Sequence, residues 1–118
     1  MGYISNVKIL CEEKAYQMIK ESMEKYNRKN NDNFVPDCIE KKGDLTLLSF
    51  YDLKWYHNYE DIKSVEDVLN TLIRDYDEKD GYGFKKIEIG EDNATTLSYN
   101  NSNIDDYLDV IVDFNCNW

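Results

Sequence analysis

The sequence predicts an α+β domain on a ferredoxin-like βαββαβ order with an additional C-terminal strand: an antiparallel sheet of about five strands with two helices on one face. Two windows place apolar residues every three or four positions, as a helix face requires, while others alternate apolar and polar residues every two. Those windows follow one another as strand, helix, strand, strand, helix, strand, strand. The clean alternation also predicts that the sheet face away from the helices is partly wet. At 118 residues the chain is expected to form a single domain spanning 1–118.

The first strand is expected over Tyr3 to Leu10, where Val7 and Ile9 alternate with Asn6 and Lys8. A helix follows, with Glu12 and Glu13 at its positive end, Ala15, Met18, Ile19, Met23 and Tyr26 along one face, and Arg28 and Lys29 before an Asn30-Asn31 stop. Residues 38–56 read as a hairpin: a short strand Cys38 to Lys41, a Lys42-Gly43-Asp44 turn, and a β-rich run from Leu45 to Tyr56. The second helix is expected from about Ser64 to Tyr76, with Ser64 as N-cap, Asp67 as capping-box acid, and Val65, Val68, Leu69, Leu72, Ile73 and Tyr76 on one face. Tyr82 to Ile89 reads as a strand and Thr95 to Tyr99 as a weaker extended piece. Tyr107 to Cys116 is the cleanest alternation, with Leu108, Val110, Val112, Phe114 and Cys116 on one side.

Charge is the most informative property. The net charge is -10; residues 1–59 hold nine acids and nine bases, residues 60–118 fifteen acids and five bases. From Glu88 to Trp118 there is no Lys or Arg, against Glu88, Glu91, Asp92, Asp105, Asp106, Asp109 and Asp113. Such a chain is repelled by nucleic acid, by anionic membranes and by acidic partners. No apolar run approaches the roughly 18 residues of a membrane span, and the first residues lack the pattern of a secretion signal, so the chain is expected in the cytosol.

Reactive chemistry is sparse. The single His57 is read as a solvated loop residue, and the cysteines at 11, 38 and 116 as reduced thiols, with Cys11 alone near enough to a helix N-terminus for a depressed pKa. The Asp75 to Gly81 stretch fails as a calcium loop because Lys79, Asp80 and Lys86 take positions that require oxygen ligands or Gly. Gly81-Tyr82-Gly83 lacks the third glycine and the following helix of a phosphate cradle. No catalytic residue, metal ligand or cofactor site is expected, and the protein is read as a non-enzyme.

What remains is an anionic surface. In the last strand Asp109 and Asp113 share a face about 13 Å apart at roughly 3.3 Å per residue, and rows of fixed carboxylates can imitate a phosphate backbone. Tyr99 and Tyr107 beside them add flat contact area. The candidate partner-binding residues are therefore Glu88, Glu91, Asp92, Tyr99, Asp105, Asp106, Tyr107, Asp109 and Asp113. The plainer alternative is a solubility face with tyrosines that fill core and rim.

Three stretches carry a resemblance: Gly2-Tyr3-Ile4-Ser5-x-Val7, Lys54-Trp55-Tyr56, and Phe84-x-x-Ile87-x-Ile89-Gly90-Glu91-Asp92. In these the chain resembles a group of small acidic proteins of bacteriophages and prophages of low-GC Gram-positive bacteria. The likeness covers most of the chain, residues 93–103 depart from it, and none of its motifs is catalytic. The group implies no activity of its own. Small acidic phage proteins without a catalytic site include inhibitors of host defence, among them anti-CRISPR proteins that mimic DNA. By that analogy the expectation is a non-enzymatic inhibitor in the host bacterial cytosol, binding a basic, nucleic-acid-handling defence protein and neither nucleic acid nor membrane. Two alternatives stay open. One is a sponge for a signalling nucleotide held in a pocket between protomers, using Lys41, Lys42, Lys54, Lys85 and Lys86; the other is an accessory structural protein of the phage.

Overall fold

The computed structural model describes residues 4–77, 79–90, 92 and 95–100. Seven elements run in order: β1 (Ser5–Glu12), α1 (Glu13–Asn30), β2 (Cys38–Lys42), β3 (Leu45–Leu53), α2 (Glu60–Asp75), β4 (Phe84–Gly90) and β5 (Thr95–Tyr99). The strands form one sheet in the order β2-β3-β1-β4-β5, every neighbouring pair antiparallel. Among the described residues no helix is long and apolar enough to cross a membrane.

Both helices cover the same sheet face. Val7, Ile9 and Cys11 of β1, Leu48 and Phe50 of β3 and Phe84 of β4 form one core with Ala15, Tyr16, Ile19 and Met23 of α1 and Ile62, Val65, Leu69 and Leu72 of α2. Phe50 lies between Phe34, stacked at 5.5 Å, and Trp55, at 5.1 Å. The chain leaves α1 through Asn31 in the left-handed region at φ 50, where its backbone N–H bonds the Asn27 carbonyl. The Asn27 side chain then pairs with Phe34 as another backbone would: it accepts from the Phe34 N–H at 2.8 Å and donates to its carbonyl at 3.0 Å. That pairing fixes the entry to β2.

The opposite face is partly wet, as expected, at its β5 edge, where Leu97 and Tyr99 are 51% and 49% exposed, but its centre is buried. Leu10, Leu47 and Ile87 cluster there, and Lys8, Ser49 and Lys85 beside them are at most 2% exposed. Alternation misleads because a polar side chain can be buried when it is partnered. Lys8 donates to Ser49 Oγ at 3.2 Å and to Tyr51 Oη at 3.5 Å. Burial pushes the Lys8 amine below its ordinary value, with Tyr51 opposing.

Element boundaries shift in informative ways. β3 ends at Leu53, short of Tyr56. Between Ser5 and Val7 the β1–β3 register slips, so that Tyr51 and Asp52 together face Asn6, and Asp52 takes φ 56 while its N–H bonds Asn6 Oδ1 at 2.9 Å. α2 begins a full turn before Ser64, at Glu60; Ser64 is not its cap, and its hydroxyl instead donates to the Asp61 carbonyl at 2.6 Å. Buried Ile62 draws in that extra turn, and Glu60 and Asp61 suit the positive helix end. Ile73, expected on the apolar face, is 42% exposed. Thr95 to Tyr99 is a strand paired with β4; the expected strand Tyr107 to Cys116 lies outside the described residues.

The cysteines also correct the sequence reading. Cys11 is fully buried, and its thiol is pushed up, not down, first by burial and then by Glu13, with Lys41 opposing. Cys38 is disulfide-bonded rather than reduced, a state uncommon in a reducing cytosol.

Candidate functional site

The helix-covered face holds charge as well as apolar side chains. Lys86 and Glu88 of β4 stand opposite Ile9 and Val7 and so point toward the helices. Glu66 of α2 meets them from above, only 6% exposed among Ile62, Val65 and Leu69. The Lys86 ammonium, with 2% of its side chain exposed, bonds both Glu66 and Glu88, the latter at 2.9 Å. The loop between β3 and α2 closes the cluster. Trp55, packed on Phe50, donates its indole N–H to Glu66 Oε1 at 2.8 Å. His57, its side chain 62% exposed, places Nε2 3.6 Å from the same oxygen.

This arrangement ties three separate elements together: the loop after β3, the second turn of α2 and the middle of β4. Two carboxylates face one ammonium, so the cluster favours positive charge. Removing one member of such a buried pair typically costs about 3–5 kcal/mol, because the remaining charge is left desolvated. The donor atoms of His57, Glu66 and Glu88 lie within 4.8 Å of one another, and these are the side chains placed to hold a metal ion. His57 therefore borders the charged cluster, although its ring is solvated as the sequence suggests.

The residues expected to bind a partner separate into groups. Glu88 is turned inward and paired with Lys86, which removes it from any outward row of acids. Asp92 is exposed in the turn after β4, and Tyr99 is 49% exposed on β5 next to Leu97. Glu91, Asp105, Asp106, Tyr107, Asp109 and Asp113 lie outside the described residues. The five lysines proposed to gather around a nucleotide do not share a site. Lys41 and Lys42 are on β2, three strand positions from Lys85 and Lys86 on β4, about 14 Å at 4.8 Å per strand. Lys41 is paired with Glu13 and lies over the Tyr16 ring.

A groove of about 270 Å³ also runs between the helices, where Lys25, Lys29 and Lys63 face Glu60 and Asp67. Its charges nearly balance, so it selects no ion. Comparison of the chain with protein families, curated proteins and solved structures finds no match.

The sequence reading missed Glu66, although the signal was there. It stands four residues after Ile62 and three before Leu69, so a charge occupies a slot of the apolar face. Asn100 was missed too. Its side chain, 4% exposed, accepts from the Phe84 N–H at 2.9 Å and donates to the Tyr82 carbonyl at 2.6 Å.

Proposed function

We propose that this protein is a non-enzymatic, phage-encoded inhibitor of a bacterial defence system, which binds a basic, nucleic-acid-handling host protein through an anionic surface that imitates DNA. One observation carries the reading. Between Asp80 and Trp118 the only bases are Lys85 and Lys86, and both are withdrawn to 2% exposure. Lys86 is paired with Glu88, and the stretch carries seven further acids against Lys85 alone, so the field of this half is strongly negative. Asp92 and Tyr99 are the described members of the surface. Asp105, Asp106, Tyr107, Asp109 and Asp113 belong to it on the sequence argument.

The first four strands, in the order β2-β3-β1-β4, support reading the core as ferredoxin-like, with β5 as the addition beside β4. The separation of the two lysine pairs argues against a nucleotide site gathered on adjacent strands of one chain.

Capture from host lysate on the immobilised protein tests the proposal. The expected partner is basic, is released by excess duplex DNA, and is lost with the triple variant Asp105→Lys, Asp109→Lys, Asp113→Lys at unchanged circular dichroism. An acidic partner, or capture indifferent to DNA, overturns mimicry. Because Cys38 is disulfide-bonded, the assay is run with and without reductant; capture by the oxidised protein alone overturns the cytosolic placement.

A further inference from the structure

We propose that His57, Glu66 and Glu88 form a binding site for a divalent transition-metal cation of the zinc type, with Lys86 as the built-in competitor for the same carboxylates. The inference is independent of the proposed inhibitor role.

Geometry supplies the first argument. Tetrahedral ligands at the usual 2.0–2.2 Å from zinc stand roughly 3.4 Å from one another. His57 Nε2 and Glu66 Oε1 are already 3.6 Å apart, and all three donor atoms lie within 4.8 Å. The exposed His57 ring is the member of the set least constrained by packing, while Glu66 and Glu88 are carried by α2 and β4.

The donor set supplies the second. One imidazole with two carboxylates suits zinc or its first-row neighbours, whereas calcium and magnesium prefer sites made of oxygen alone. Three protein ligands with one side open to water is the pattern of a zinc ion that keeps a fourth, exchangeable position. The orientation of Glu66 is fixed by the Trp55 indole N–H, the kind of outer hydrogen bond that sets a ligand in place.

Electrostatics supplies the third. The fold has drawn a cation into this spot already: the Lys86 ammonium sits between the two carboxylates. A divalent ion on the His57 side satisfies the same negative charge from the solvent-facing direction. It would join the loop after β3 to α2 and β4 more firmly than an ammonium that makes no bond to His57.

Chelator-treated full-length protein is titrated with zinc chloride alone, and separately with cobalt chloride and magnesium chloride, following the unfolding temperature and the visible spectrum of cobalt. Zinc is expected to raise the unfolding temperature in proportion to its logarithmic concentration, magnesium is expected to leave it unchanged, and cobalt to give ligand-field bands. His57→Ala removes an exposed side chain without disturbing the core and is expected to weaken zinc binding at least about tenfold, as loss of even an outer partner of a ligand does. Lys86→Met should unfold at lower temperature without metal, yet show a larger zinc-induced rise than the wild type, because the competing ammonium is gone. The proposal is overturned if zinc produces no shift, if His57→Ala responds to zinc as the wild type does, or if Lys86→Met gains no more from zinc than the wild type.

Discussion

Thr46 stands on the helix-facing side of β3 next to Cys11, fully buried, and among the described residues its hydroxyl has no hydrogen-bond partner. A buried hydroxyl without a partner keeps its desolvation cost, about 1–3 kcal/mol, and returns nothing. Thr46→Val keeps the branched shape and removes the oxygen, so it is expected to stabilise the fold by about 1 kcal/mol, read as a higher urea midpoint at unchanged slope. A second residue-scale effect depends on pH. The Tyr26 hydroxyl donates to Asp32 at 2.7 Å, and that bond raises the phenol from 10.0 to about 12. Because the folded value lies above the unfolded one, the contribution is fully present below pH 10 and is lost as pH rises through about 12. Urea unfolding of wild type and Tyr26→Phe should therefore differ below pH 10 and converge toward pH 12. Neither effect was legible in the sequence, nor was the ion cluster. Thr46 and Lys86 are polar letters whose burial depends on which strand or helix lies opposite, and only the tertiary pairing of β1 with β3 and β4 decides that; Glu66 alone shows in the sequence, as a charge in a slot of the apolar face of α2.

Elements were the most legible level, since hydrophobic period and turn chemistry are local. The hairpin of β2 and β3 was readable from Lys42-Gly43-Asp44 alone: Gly43 takes φ 59, and a side chain added there would meet nothing within 4 Å. Gly43→Ala should thus destabilise through backbone conformation alone, by about 1 kcal/mol, and a urea midpoint that does not fall would contradict this account. Where the reading of elements erred, a non-local partner overruled a local signal. Ser64 has the letter of an N-cap, but burial of Ile62 against the core extends α2 backward, and no side chain caps the new end at Tyr59. β3 was read through to Tyr56 because Trp55 and Tyr56 favour strands; the bulge at Asp52 turns the chain there, and Trp55 instead packs on Phe50 and bonds Glu66. Thr95 to Tyr99 looked weak by composition, with Leu97 its only strong apolar residue. It pairs because β4 presents a complementary edge from Lys85 to Ile89.

At the scale of the whole molecule, two kinds of charge should respond to salt in opposite directions. The ion pairs of Lys86 with Glu66 and Glu88 are shielded from solvent, so mobile ions screen them little. The chain as a whole carries a net charge of -10, and repulsion among its surface acids opposes the compact state and is relieved by screening. Raising the salt concentration is therefore expected to raise the unfolding temperature of the isolated protein. A partner drawn in by the same surface charge has the reverse dependence, because its attraction extends only about 8 Å at physiological ionic strength and shrinks as salt is added. Measured in one buffer series, the unfolding temperature should climb while partner capture falls. A protein whose capture holds steady across that series binds its partner through apolar contact, and Leu97 and Tyr99, both about half exposed on β5, would then replace the acids as the residues to mutate.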